Sequence, residues 1–332
     1  MATIAQWDIN NVCNLNCKHC RVSEKNDKKQ LSLKQAKELL AQLWYTGTTK
    51  LNLSGGEPFM RDDLFEILEY ARKFEDIVIT TNGTLIDEKV CEKLSKFPNI
   101  KLSISLDGMA ETHDSFRRKK GTFRKVIDTL SLLKEYNIPY AIKYTLSTET
   151  VKDVIEVINL IASKGAKEFN IRRVLVAGHA DKDMLISNEE YKETIKRVIA
   201  ECNRLNINFR TGDPLLVPIF PEIFGIDIKN DDLNKIYAGC QAGDEIIYID
   251  YQGNVGACSY IPTFADNIKE KPLDEILNNN KLFVELKKYK QKLEGKCSKC
   301  SYKMICGGCR ASAVALKNSL FEEDPLCLLQ SS

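Results

Sequence analysis

The sequence predicts an α/β protein: six strand–helix units on a parallel sheet, followed by a small cysteine-rich module. Three observations carry this prediction. Short strand-like runs alternate with amphipathic helical stretches from residue 3 to about 205. Residues suited to binding and chemistry fall directly after the strands. Ten of the twelve cysteines form two groups, 13, 17 and 20 near the start and 240, 258, 297, 300, 306, 309 and 327 toward the end.

The elements follow in order. Residues 3–10 read as a strand that runs straight into the first cysteine group. Residues 21–30 are polar and lysine-rich, an exposed linker. Ser32 and Gln35 form a capping box, behind which Leu33, Ala36, Leu39, Leu40, Leu43 and Trp44 keep helical spacing until Gly47. The pattern then repeats as strand 50–53, helix 62–73, strand 77–81, helix 87–95, strand 101–106 and helix 122–136. It continues as strand 139–146, helix 150–164, strand 168–175 and helix 188–205. Such alternation implies βαβ units, and right-handed crossovers bring all strand C-termini to one edge. Six units are too few for a closed eightfold barrel. Residues 206–239, with Gly212-Asp213-Pro214, Pro218 and Pro221, read as irregular connection. The expected division is 1–210, a connecting segment 211–239, and 240–332.

Composition narrows the class. A chain of 332 residues accommodates about two domains. Its 43% hydrophobic and 28% charged content is ordinary for a globular protein. No stretch approaches the roughly 20 apolar residues of a membrane span. The start, MATIAQWDIN, has no basic segment followed by an apolar core, so a cytoplasmic location is expected and structural disulfides are disfavoured. A net charge of +2 offers no general field for nucleic acid. The run Arg117-Arg118-Lys119-Lys120 reads as a solvated loop, with an anion-docking patch as the sharper alternative. Cys91 and Cys202, alone in helical patterns, read as core.

Cys13, Cys17 and Cys20 can converge on one short loop. Closed zinc sites and closed iron–sulfur clusters take four protein ligands. Two readings therefore stand: a [4Fe–4S] cluster with one iron open, or zinc with a fourth ligand from elsewhere. Asp8-Ile9-Asn10-Asn11-Val12 ahead of Cys-Asn-Leu-Asn-Cys-Lys-His-Cys resembles the signature of the radical S-adenosylmethionine (SAM) superfamily. The resemblance implies an open six-stranded partial barrel whose cluster binds SAM through its free iron. It further implies that an electron from the cluster cleaves SAM to a 5′-deoxyadenosyl radical, which abstracts hydrogen from substrate, and that a flavodoxin- or ferredoxin-type protein donates the electron. His19 stands where the family favours an aromatic residue.

The strand ends supply the rest of the expected site. After the second strand comes Ser54-Gly55-Gly56-Glu57-Pro58. Its glycines allow close backbone approach to a ligand, and Pro58 stiffens the exit. Similarity to the family's GGE-P motif implies that this segment holds the SAM amino group. The third strand ends in Thr80-Thr81-Asn82. On the fourth, alternation puts Ser103, Ser105 and Asp107 on one polar face. The resemblance implies that Ser105 and Asp107 reach the SAM ribose and carboxylate, while a water-satisfied interior accounts for Ser103 equally well. Asn82 and Lys143 join the expected SAM contacts. Of Arg172 and Arg173 only one can face inward, and Arg172 is expected to do so, paired with the SAM carboxylate.

In the last third, residues 245–250 and 253–255 read as a β-hairpin that brings Cys240 and Cys258 together. Two CxxC pairs, 297/300 and 306/309, most often mean zinc, but seven thiols exceed what one zinc needs. The pattern resembles the SPASM extension, which carries auxiliary iron–sulfur clusters. By position, the resemblance implies one [4Fe–4S] cluster on Cys297, Cys300, Cys306 and Cys327, and a nearer one on Cys240, Cys258 and Cys309. Two departures stand out. Only Gly307-Gly308 separates Cys306 from Cys309, and the hairpin lacks an extra Cys. The nearer cluster would then keep an open iron or use an oxygen ligand such as Asp244 or Glu245.

SPASM relatives chiefly modify peptides, so a peptide-modifying maturase is expected. There is no room before residue 13 for a peptide-binding domain, so a separate recognition protein or direct docking would be needed. Tetrapyrrole side-chain chemistry on a small molecule comes second, on the phrases His113-Asp114-Ser115-Phe116-Arg117 and Glu323-Asp324-Pro325-Leu326-Cys327. A non-catalytic zinc or iron–sulfur scaffold accounts for the cysteines but not for Gly55-Gly56-Glu57 at a strand end.

Overall fold

Alternating burial along the first strand sets the architecture. In β1 (Ile4–Asn10), Ala5, Trp7 and Ile9 pack into the main core with Leu39, Leu40 and Leu43 of α1 (Leu33–Tyr45). Gln6, Asp8 and Asn10 therefore face the other way. The computed structural model describes residues 2–22, 29–224 and 239–329. The capping box forms, with Ser32 and Gln35 each satisfying the other's backbone.

Strands β2 (Lys50–Gly55), β3 (Asp76–Thr81), β4 (Ile100–Ser105), β5 (Tyr140–Leu146) and β6 (Glu168–Arg173) follow β1 in parallel. Each is preceded or followed by a helix, and the sheet order from β1 to β6 is the sequence order. The βαβ units expected from the alternation, in the partial barrel that the family resemblance implies, are thus the observed fold. Among the elements that escaped the sequence reading are two in the barrel. A helix, α2, spans Ala110–Phe116, and a four-residue strand, β7 (Asn208–Thr211), joins β6 at the sheet edge. Both are too short to leave a periodic signature.

The stretch after β7 differs from its reading as irregular connection. Pro214–Ile219 form a 3₁₀ turn whose six side chains are all buried. Asp213 caps it, accepting from Leu215 N at 3.0 Å, and takes the Tyr191 hydroxyl at 2.8 Å. Residues 225–238 of the expected connection, and 23–28 of the expected linker, lie outside the described residues.

The predicted hairpin forms from β8 (Ile246–Ile249) and β9 (Asn254–Gly256), and β10 (Phe264–Asn267) pairs with β9. It does not stand apart from the barrel. β8 runs parallel to β1, Ile4 opposite Ile246 and Trp7 opposite Ile249, so one ten-stranded sheet runs from β10 to β7. Cys91 and Cys202 are fully buried in the core, as expected. Among the described residues, no helix is long and apolar enough to cross a membrane.

Candidate functional site

The cysteine loop leaves β1 at its C-terminal end and is pinned on three sides. Lys18 N donates to Phe116 O of α2 at 2.9 Å, and the His19 ring stacks on Phe116 with centroids 4.3 Å apart. His179 N donates to Cys20 O at 2.8 Å. From β2, Gly56 N donates to Asn10 O at 2.9 Å and Glu57 N to Val12 O at 2.7 Å. The last contact explains the glycine pair. A Cβ on Gly56 would stand 2.1 Å from Val12 O, and one on Gly55, whose φ is +130°, would stand 2.2 Å from Asn10 O. The close approach these glycines permit is therefore to the strand feeding the loop.

Glu57 ties the next strand in. It is buried and accepts from the Thr81 hydroxyl at 2.6 Å, Asn82 N at 2.8 Å and Phe59 N at 3.3 Å. Burial raises its pKa, and these three donors pull it back. Asn82 Nδ2 reaches Asn14 Oδ1 at 2.9 Å, and Asn14 Nδ2 reaches Thr84 Oγ1 at 2.8 Å, so β3 also grips the loop.

A cavity of about 130 Å³ collects Cys13, Cys17, His19, Cys20, Gly55, Gly56, Glu57, Asn82, Ser105 and Lys143. Three other expected residues stand elsewhere. Pro58 lies buried at the start of a 3₁₀ turn behind Glu57. Asp107 is fully buried, and its carboxylate is occupied by the Arg117 guanidinium and by Thr145 N at 2.6 Å. It anchors the wall and does not line the cavity. Arg172 lines a different cavity, described below.

Arg117 is the residue the sequence reading missed. It was expected in a solvated loop, and residues 118–120 are indeed exposed, but Arg117 is only 7% exposed. It lines the 130 Å³ cavity and donates toward Cys17 Sγ at 3.7 Å. Burial and the Arg117 charge push His19 down to about 3, so its ring is neutral, and its buried Nδ1 meets no protein partner among the described residues. Burial, then Arg172, Arg21 and Arg117, bring Lys143 down to about 8. Cations thus outnumber acids around this space, which suits a carboxylate-bearing ligand.

Behind the wall, His113 Nδ1 accepts the Asp107 backbone N–H at 3.1 Å. Burial and Arg117 lower its pKa from 6.5 to about 4. Above pH 6.5 both folded and unfolded states are neutral. Below it the unfolded chain takes up a proton that the native state refuses, so stability falls from pH 6.5 toward 4. Urea unfolding of the wild-type protein is expected to lose about 2 kcal/mol between pH 7 and pH 5 from this group. The His113→Gln variant is expected to lose correspondingly less over that interval, and an unchanged pH slope would contradict the assignment.

A second cavity, about 280 Å³, is lined by Cys240, Cys258 and Cys309 together with Arg172, Gln6 and Gln241. The two acids considered as oxygen ligands, Asp244 and Glu245, do not line it, and Glu245 is engaged by Gln241 Nε2 at 2.6 Å. The four remaining thiols are neighbours. Cys297 and Cys300 act on the Cys327 thiol, and Cys297 and Cys327 on that of Cys306, which also accepts Gly308 N–H at 3.3 Å.

A third cavity of about 520 Å³ opens between the barrel rim and the C-terminal module. It shares Arg21 and Tyr260 with the first. In it Arg21 Nη2 bridges both Asp8 oxygens at 2.5 and 2.6 Å, and the Tyr248 hydroxyl donates to Asp8 at 2.7 Å. Alternation along β1 signals that Asp8 faces inward. Nothing local marks Tyr248 or Tyr260 as its neighbours.

An open α/β barrel with three thiols on the loop after its first strand, beside cation-rich space and a seven-thiol module, defines a radical SAM enzyme with auxiliary clusters. The radical SAM superfamily profile matches residues 7–161, and that of the SPASM iron–sulfur cluster-binding domain matches residues 240–301. The chain belongs to the radical SAM superfamily and uses SAM and [4Fe–4S] clusters. It is 31% identical over 332 residues to the AdoMet-dependent heme synthase of Methanosarcina barkeri, spanning 97% of this chain and 95% of that one. The mycofactocin maturase MftC of Mycolicibacterium smegmatis is 29% identical, over 97% of this chain and 81% of its own. Among solved structures, Streptococcus suis SuiB bound to precursor peptide SuiA superposes with a TM-score of 0.84 at 20% identity, covering 99% of this chain and 76% of that one.

Proposed function

We propose that this enzyme modifies a peptide, forming a crosslink, inverting a stereocentre or oxidising a side chain. In this reading Cys13, Cys17 and Cys20 hold the cluster that binds SAM. His19, the Gly55–Glu57 backbone, Asn82, Ser105, Lys143 and Arg117 surround SAM itself. The thiol sets 240/258/309 and 297/300/306/327 hold two auxiliary clusters. When bound, SAM and its cluster supply a 5′-deoxyadenosyl radical. The chain's own residues orient the cofactor and exclude water around it.

The 520 Å³ cavity carries the choice of substrate. Its volume is that of a small-ligand site, and it adjoins the SAM space through Arg21 and Tyr260. The described residues lining it hold one cation, Arg21, against two carboxylates, Asp8 and Asp250. Two carboxylates in the wall oppose a ligand that itself bears several, such as a tetrapyrrole. Asn318 and apolar walls from Ile261, Pro262 and Val314 suit a neutral peptide segment. Tetrapyrrole side-chain chemistry remains the second reading, favoured by the near full-length match to the heme synthase.

Deuterium transfer tests the choice. Reduced, cluster-loaded enzyme and SAM are incubated with peptide or tetrapyrrole fractions from cells grown in heavy water, and 5′-deoxyadenosine is weighed by mass spectrometry. Deuterium arriving from the peptide fraction is expected. Transfer from the tetrapyrrole fraction alone would overturn the peptide reading.

A further inference from the structure

The three cavities meet at one pair of side chains. Tyr260 lines both the SAM space and the 520 Å³ cavity. Arg172 lies over the Tyr260 ring, its guanidinium carbon 4.8 Å from the centroid, and lines the 280 Å³ cavity with Cys240, Cys258 and Cys309. Strand alternation puts it there: Arg172 faces inward, whereas Arg173 turns outward onto Tyr191, 4.0 Å from that ring.

Among the described residues lining the 280 Å³ cavity there is no carboxylate. Asp213 acts on Arg172 only at a distance, and the ion pair that Asp213 makes is with Arg173, at 3.9 Å. A cation in such a place calls for an anionic occupant. A [4Fe–4S] core held by three thiolates supplies one: it carries one negative charge when oxidised and two when reduced. This step rests on the reading of those cysteines given above. An adjacent fixed cation stabilises the doubly charged state more, and so raises the potential.

We propose that Arg172 sets the reduction potential of the cluster held by Cys240, Cys258 and Cys309. The Arg172–Tyr260 stack is then the contact through which that cluster faces the substrate cavity. Arg suits both tasks, since its planar guanidinium stacks on an aromatic face and stays charged at any working pH. Tyr260 is the platform that keeps the cation turned toward the thiols.

The test is an EPR-monitored redox titration of the full chain, reconstituted with iron and sulfide. All proteins carry Cys13, Cys17 and Cys20 replaced by Ala, so that only auxiliary signals remain. The nearer cluster is identified as the signal lost in Cys258→Ala. In Arg172→Gln, the ratio of reduced to oxidised nearer cluster at fixed potential is expected to fall about tenfold, equivalent to about 59 mV for a one-electron couple. The signal that survives Cys258→Ala is expected to move less than threefold. Arg172→Lys keeps the charge and is expected to retain most of the wild-type ratio, and Tyr260→Leu to shift it in the same direction as Arg172→Gln but less. An unmoved signal in Arg172→Gln at full iron content would overturn the proposal, as would equal shifts in the Gln and Lys variants. The absence of any signal or iron dependent on Cys258 would instead sink the underlying ligand assignment.

Discussion

Gly56→Ala is expected to cut 5′-deoxyadenosine release at least 100-fold while leaving the auxiliary clusters in place. A methyl group at position 56 would lie 2.1 Å from Val12 O and 2.4 Å from Val12 C. These are backbone atoms of the segment that enters the cysteine loop, so no side chain can swing aside. The loop itself has to move by an ångström or more, taking Cys13 and Cys17 with it. Displacements of that size at reacting centres cost about 100-fold in rate. The auxiliary thiols begin at Cys240, on other elements, and their iron should be retained. Release of 5′-deoxyadenosine from reduced enzyme, with iron measured on the same sample, reads both effects. Activity within threefold of wild type would show that the Gly56–Val12 approach is not as tight as described.

Arg117→Met is expected to be the most destabilising change in the site. Asp107 is fully buried and its main cationic partner is Arg117. Removing the guanidinium strands a carboxylate in the protein interior, which costs about 3–5 kcal/mol. Arg117 also faces the Cys17 thiol and the 130 Å³ cavity proposed to hold SAM, so SAM cleavage should fall with it. Adding Asp107→Asn separates the two losses. The double variant leaves no unpaired charge and should regain most of the melting temperature, yet stay impaired in SAM cleavage. A double variant no more stable than the single one would show that the ion pair is not what Arg117 contributes.

How far the sequence reveals this site depends on how local each signal is. The cysteine loop is legible because three thiols within eight residues need no tertiary information. Strand ends are legible because alternation and βαβ handedness place them at one edge. Arg117 was hidden because its burial comes from a seven-residue helix that folds over the loop, and its partner lies ten residues back. The inward turn of Arg172 could be read from alternation in β6. Its target could not, because Tyr260 arrives by way of β8 pairing with β1, a contact some 240 residues long in sequence. The phrase His113–Arg117, which suggested a tetrapyrrole enzyme, has an architectural explanation here. Asp114 accepts from Gly121 N and Phe123 N at the start of the next helix, Phe116 carries His19, and His113 holds Asp107. Those residues therefore say little about substrate.

The same holds for Gly55 and Gly56. Read alone, they promised room for a ligand. In the fold they make room for Asn10 and Val12, and the ligand space is a consequence of that packing.

The most direct test of the whole account is anaerobic iron and sulfide quantification on the purified full chain, with reductant and SAM added in the same tube. The account predicts about twelve irons per chain, three clusters of four, together with release of 5′-deoxyadenosine. About eight irons would contradict the assignment of Cys240, Cys258 and Cys309. Zinc in place of iron, with no nucleoside released, would contradict the central claim.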